Sequence, residues 1–142
     1  MITTPLQVGD QLPPLEIAPI SRTTLALFAG GSGDHNPVHI DLDAAHTAGM
    51  DDVFAHGMLG MAYLGRMLTA WVPQDRLRTL HVRFTAITPV HAAPVCSGMV
   101  AEVHEQHGEL RATIQVTVQL ADGTTTLSGH ATVAAYPPMK GM

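Results

Sequence analysis

Residues Gly33-Asp34-His35-Asn36-Pro37-Val38-His39 set a carboxylate and an imidazole five residues apart across an Asn-Pro step. Pro37 fixes its own backbone and turns Asn36 toward an extended conformation, so the segment cannot run on as a helix and a turn must hold both side chains. An acid/base pair gripped on one loop can hold a water between its members, one accepting a proton while the other donates one. Adding water to a polarised double bond, or removing it, requires that arrangement. Asn36 adds a neutral donor and acceptor that can fix the loop or orient a substrate group, and Gly33 permits close backbone approach. Further on, His56-Gly57-Met58-Leu59 opens a long apolar stretch. The first N–H groups of such a helix are unpaired and sit at the positive end of its dipole, so the Gly57 amide suits a carbonyl oxygen gathering negative charge.

Each motif also has a plainer reading. Asp34 can cap its own loop in an Asx-turn with His39 as a satisfied core histidine, and Gly57 can be a packing choice at an ordinary helix start. Carbonyl activation beside an acid/base pair nevertheless forms a mechanism, and neither motif does so alone.

The elements that must position these residues follow from pattern. Residues 1–14 carry Pro5, Pro13 and Pro14 and read as an extended arm. A short strand fits Leu15 to Ile20, and Ser21 is a good N-cap for a brief helix ended by Gly30 and Gly31. Asp41 to Ala48 suggests another helical turn stopped by Gly49. From Gly57 to Trp71 the residues are apolar on nearly every face, which predicts a centrally buried helix stopped by Pro73. Alternation then takes over in Leu80, Val82 and Phe84. Three further strands are predicted at Val95 to Gln106, Leu110 to Leu120 and Thr124 to Tyr136, joined by His107-Gly108 and Asp122-Gly123 as an antiparallel meander. Residues 137–142 form a tail. The order predicts an α+β fold, an antiparallel sheet wrapped around one long central helix, with the other sheet face left for a second copy.

A chain of 142 residues, 46% hydrophobic and 13% charged, fits one globular domain over residues 1–142 with part of its surface covered by a partner, hence a homodimer. A formal charge of -5 argues against nucleic-acid or anionic-membrane binding. Arg76, Arg78 and Arg83 could meet a phosphate, but a solvated strand face is the simpler account. No apolar run is long enough to span a bilayer, and the N-terminus lacks a secretory pattern. The single cysteine, Cys96, excludes an internal disulfide and points to packing in a reducing cytoplasm.

The run Phe28, Ser32-Gly33-Asp34-His35-Asn36-Pro37-Val38-His39 with His56-Gly57-Met58-Leu59 resembles the signature of the MaoC-like (R)-specific enoyl-CoA hydratases and related dehydratases. The resemblance extends from about Leu6 to Tyr136. It implies a dimeric hot-dog fold, syn hydration of a trans-2-enoyl thioester to the (R)-3-hydroxyacyl thioester or its reverse, and no metal or redox cofactor. It further implies that Asp34 and His39 are the catalytic pair holding the water and that the Gly57 amide polarises the thioester carbonyl. Asn36, His56, Gly57 and Ala62 would be the substrate-binding residues. Family members that handle short chains often carry a serine six residues after the motif histidine, where this chain has Ala62. With Gly60 and Gly65, Ala62 could widen the acyl pocket, although helix-to-sheet packing accounts for small residues equally well.

Which member of the pair is the base stays open: histidine's usual titration range suits that role, while Asp34 would need a proton to donate. The carrier would be coenzyme A or an acyl carrier protein, the negative net charge tilting toward coenzyme A. Hot-dog proteins also include acyl-CoA thioesterases, and a non-catalytic acyl-binding or partner subunit is a third reading. Nine histidines invite a metal reading. His35 and His39, however, straddle Pro37 rather than sharing a helical face, and His104 and His107 flank a hairpin where exposure is expected.

Overall fold

The structure, a computed structural model, describes residues 5–135; residues 1–4 of the expected arm, the end of the last strand at Tyr136 and the 137–142 tail lie outside that range. Ser21 caps the first helix, α1 (Arg22–Ser32), by accepting the Thr24 N–H at 3.0 Å. The helix does not stop at Gly30 and Gly31 as the sequence suggests. It continues because Leu25 and Ala29 are buried in the core, which outweighs the roughly 1 kcal/mol that a helical glycine costs. Gly33, at φ 79, ends it in the left-handed region and turns the chain into the motif loop. A 3-10 turn, Pro37–His39, and a short helix, α2 (Leu42–Thr47), follow, each opened by an Asx side chain accepting a backbone N–H two residues on.

The long helix, α3 (Gly57–Trp71), touches all five strands of the sheet. Leu59, Tyr63, Leu64, Met67 and Leu68 are buried. The expectation of burial on nearly every face is corrected by a stripe at Met58, Ala62, Arg66 and Ala70, four residues apart, which is exposed because the sheet covers only one side. Among the described residues no helix is long and apolar enough to cross a membrane.

Strands β1 (Leu15–Glu16), β2 (Leu77–Phe84), β3 (Val95–Gln106), β4 (Glu109–Gln119) and β5 (Thr125–Ala134) form one antiparallel sheet in the order β1-β3-β4-β5-β2. β1 is shorter than expected: Pro19 has no N–H to give, and only Ile17 and Ile20 bond onward, to Pro94 and Ala92 carbonyls. The meander β3-β4-β5 follows the sequence pattern, with His107 and Gly108 at φ 54 and 75 making the tight turn. β2 crosses to the far edge beside β5. On β4 the alternate residues Ala112, Ile114, Val116 and Val118 are at most 1% exposed, facing α3. Cys96 is buried with them, and burial pushes its thiol up to about 11, so it packs rather than reacts.

Arg76 and Arg78 of the basic cluster are tied down structurally, while Arg83 is exposed. Arg76 donates to the Ala134 carbonyl at 3.1 Å through Nε, and Arg78 makes a two-pronged pair with Glu109 at 2.9 and 2.8 Å.

Candidate active site

Asp34 leaves the end of α1 with its N–H donated to Ser32 Oγ at 3.2 Å, while its own Oδ1 accepts the Asn36 N–H at 3.1 Å. This is the Asx-turn of the plainer reading. It engages Oδ1 and leaves the side chain exposed. Asn36 in turn accepts the Val38 N–H at 3.3 Å, so its amide oxygen opens the 3-10 turn and fixes the loop. The turn delivers His39, 9% exposed, with Nδ1 2.8 Å from the Phe54 carbonyl. A carbonyl oxygen can only accept, so Nδ1 carries the hydrogen and Nε2 is the nitrogen left to take a proton. Phe54 itself is held by a bridge to Pro89, and the Ala55 N–H bonds the Thr88 carbonyl at 2.9 Å. An Arg22–Asp52 ion pair ties the start of α1 to this segment and holds the Asp52 carboxyl below its usual range.

His56 lies at the centre of the arrangement instead of on its surface. It is 2% exposed, stacks on His39 with ring centroids 4.0 Å apart and planes 29° from parallel, and makes a T-shaped contact with Phe28 at 4.9 Å. Its Nε2–H donates to the Asp34 carbonyl at 3.1 Å, and its Nδ1 is buried without a partner. Burial pushes this imidazole below its ordinary 6.5. Expected among the substrate-binding residues, His56 lines neither the cleft beside Asp34 nor the one beside His39.

One carboxylate oxygen of Asp34 and one ring nitrogen each of His39 and His56 lie within 4.8 Å of one another. Two atoms bonded to the same water sit about 4.5 Å apart, a separation that falls within this limit. Asp34 faces a cleft of about 380 Å³ with an apolar wall of Phe28, Met58, Met61 and Ala62, and Ser32 at its rim. His39 and Gly57 face a second cleft of about 300 Å³, with Phe84, Thr85 and Ile87 among its walls. Gly57 is the first residue of α3, and a Cβ there would come within 2.9 Å of the Phe84 ring, so glycine lets that ring close over the helix start. The three small residues of α3 separate by role. Ala62 lines the Asp34 cleft, Gly60 makes room for Leu127 of the sheet, and Gly65 has nothing within 4 Å of where a Cβ would be.

Phe28 and Ser32 sit one turn apart at the end of α1, and Met58 and Met61 one turn apart on α3, a helical spacing that the sequence does carry. What sequence reasoning missed is the Phe54 carbonyl and the His56 stack, neither of which has a local signature. Asp34, His39 and His56 also offer two imidazoles and a carboxylate to a cation. Ring lone pairs lie in the ring planes, and two planes this near to parallel do not meet at a metal–nitrogen distance of about 2.1 Å. Convergence would require breaking the bond to Phe54 or to Asp34.

With this geometry in view, residues 6–128 match the MaoC like domain. The chain belongs to the MaoC-like family. Its sheet and helix follow the hot-dog architecture: the (R)-hydratase from A. caviae involved in PHA biosynthesis superposes with a TM-score of 0.81 at 24% identity, covering 91% of this MaoC-like chain and 96% of that one. The R-hydratase PhaJ1 from Pseudomonas aeruginosa superposes at 0.79 with 26% identity, covering 95% and 92%. In sequence, the (R)-specific enoyl-CoA hydratase of Rhodospirillum rubrum is 28% identical over 114 residues, 80% of this chain and 78% of its own. The MaoC-like chain spans less than two thirds of other relatives: 58% of a mitochondrial 3-hydroxyacyl-[acyl-carrier-protein] dehydratase of Arabidopsis thaliana, 59% of nodulation protein N of Rhizobium leguminosarum and 5% of a fatty acid synthase subunit beta of Gibberella zeae.

Proposed function

We propose that this MaoC-like domain is an (R)-specific enoyl-thioester hydratase, or in reverse a 3-hydroxyacyl-thioester dehydratase. The observation that carries the reading is the closeness of Asp34, which lines an apolar cleft, to His39, whose proton-accepting Nε2 belongs to a ring lining a second cleft together with Gly57 at the start of α3. The acyl chain lies against Met58, Met61 and Ala62, and the thioester carbonyl accepts from the Gly57 N–H at the start of α3. That polarisation makes C3 electrophilic. Water held by Asp34 gives one proton to His39 Nε2 as its oxygen bonds to C3, and the C2–C3 electron pair passes into the enolate. The proton then returns to C2. Both new bonds form on the face that looks at the pair, so the addition is syn.

The exposed apolar residues Met58, Phe84 and Ile87 beside the site, and the edge position of β2, support a homodimer that covers them. A reducing cytoplasm remains the compartment we infer. Coenzyme A is the carrier best matched to the negative net charge.

The test follows absorbance of the conjugated enoyl thioester with crotonyl-CoA and with a longer, branched enoyl-CoA. Loss of absorbance without thiol release in wild type, and a fall of about 10²-fold or more in Asp34→Asn and His39→Ala, is expected. Thiol release from a saturated acyl-CoA would instead make the protein a thioesterase, and silence on every thioester would leave it a binding subunit.

A further inference from the structure

We propose that His56 is a positioning residue of this site: its Nε2–H clamps the Asp34 main chain and its ring backs His39, so that the stacked pair takes up one proton only, at His39 Nε2. The proposal rests on the hydratase reading for its part in the reaction and on geometry alone for its protonation pattern. A single buried side chain touches both members of the catalytic pair and directly precedes Gly57 in the chain. Any shift of the His56 ring therefore displaces the carboxylate loop, the base and the helix start together.

Each contact restricts the ring differently. The Asp34 carbonyl can only accept, so His56 must keep its hydrogen on Nε2, and Nδ1 becomes a buried lone pair with no donor. A buried, unpartnered polar atom has a cost that packing alone does not explain. Protonating Nδ1 would place a positive charge between the Phe28 ring and the His39 face, 2% exposed to water. The titratable groups facing His56 are His39, whose charge opposes a second one at 4.0 Å, and Asp34, which attracts it. Burial is the larger influence and favours the neutral ring. A neutral imidazole stacked on His39 then presents its π face to the cation that His39 becomes when it takes the proton of water.

Long-range proton–nitrogen correlation spectra of the histidine-labelled full chain, recorded from about pH 8 to about pH 5, read this directly. His56 is expected to stay in the neutral Nε2–H form throughout, and any proton the pair takes up to appear at His39 Nε2; His39→Ala and His56→Phe identify the two signals. A His56 that protonates before His39, or that carries its hydrogen on Nδ1, overturns the proposal.

In the hydration assay, His56→Phe keeps a ring against His39 without the donor, and His56→Gln keeps a donor without the ring. Both should lower kcat about 10- to 100-fold with little change in KM. Only His56→Gln should move the acid limb of the kcat/KM profile, to lower pH, because only it removes the ring face; an unmoved limb overturns the backing role. A wild type that hydrates nothing defeats the hydratase reading, and the spectra still decide the protonation pattern.

Discussion

The β3-β4-β5 meander and the segment from Gly33 to Gly57 are held together by different physics. In the meander, fully buried Ile114, Val116, Val118, Ala131 and Val133 alternate along paired strands, and the register repeats the same apolar contact against α3 many times. The motif segment has little regular structure. It is pinned by single polar bonds: Asn36 N–H to Asp34, Val38 N–H to Asn36, His39 to the Phe54 carbonyl and His56 to the Asp34 carbonyl. Redundant apolar packing averages over a lost group, whereas a site pinned one bond at a time does not. Stability should therefore reside in the first region and activity in the second.

The sharpest separation is His39→Ala, expected to lower kcat by about 10²- to 10⁴-fold while thermal unfolding stays cooperative, since it removes one side chain–backbone bond and the ring contacts to His56 and Phe54 but leaves the packing of α3 on the sheet intact. Ile114→Ala should do the reverse. Truncating a fully buried side chain on β4 costs about 2–5 kcal/mol in urea unfolding, with activity per folded molecule unchanged. A large loss of kcat in that variant would break the comparison.

Gly57→Ala tests the boundary between the regions, because its Cβ would lie 2.9 Å from the Phe84 ring. It should cost about 1–3 kcal/mol from overpacking and reduce kcat as well, as the ring is pushed from the helix start. Asn36→Ala removes the oxygen that opens the 3-10 turn and should cost about 1 kcal/mol, with loosened Asp34 geometry seen as a lower kcat at saturating substrate.

The smallest expected effect is in pH. Burial places folded His56 below its ordinary 6.5, so its contribution to stability is complete above about 6.5 and is lost as pH falls, because the unfolded chain takes the proton first. Unfolding free energies from pH 8 toward 5 should decline in wild type and less in His56→Phe. The meander has its own acid limit. Arg78 and Arg111 hold Glu109 down to about 2 against an ordinary 4.5, so that contribution persists above 4.5 and disappears as pH falls through 2.

Much of the fold was legible locally. The alternation in residues 95–134, the His107-Gly108 turn, the Ser21 cap and the apolar run from Gly57 to Trp71 are each set by neighbours a few residues apart, and each element formed where its pattern lay. The candidate chemistry was legible for the same reason, since Asp34, Asn36, Pro37 and His39 share one turn.

Three features waited for the tertiary structure. β2 pairs with β5 at the far edge, the α3 stripe of Met58 and Ala62 stays uncovered, and His56 turns inward to stack on His39. The tautomer of His39 belongs with them, because it depends on a carbonyl fifteen residues away. Turn chemistry and periodicity are properties of short segments, and sequence alone determines them. Strand order, the covered face of a helix and the nitrogen that bears a proton depend on which distant groups meet, and only the folded chain decides that.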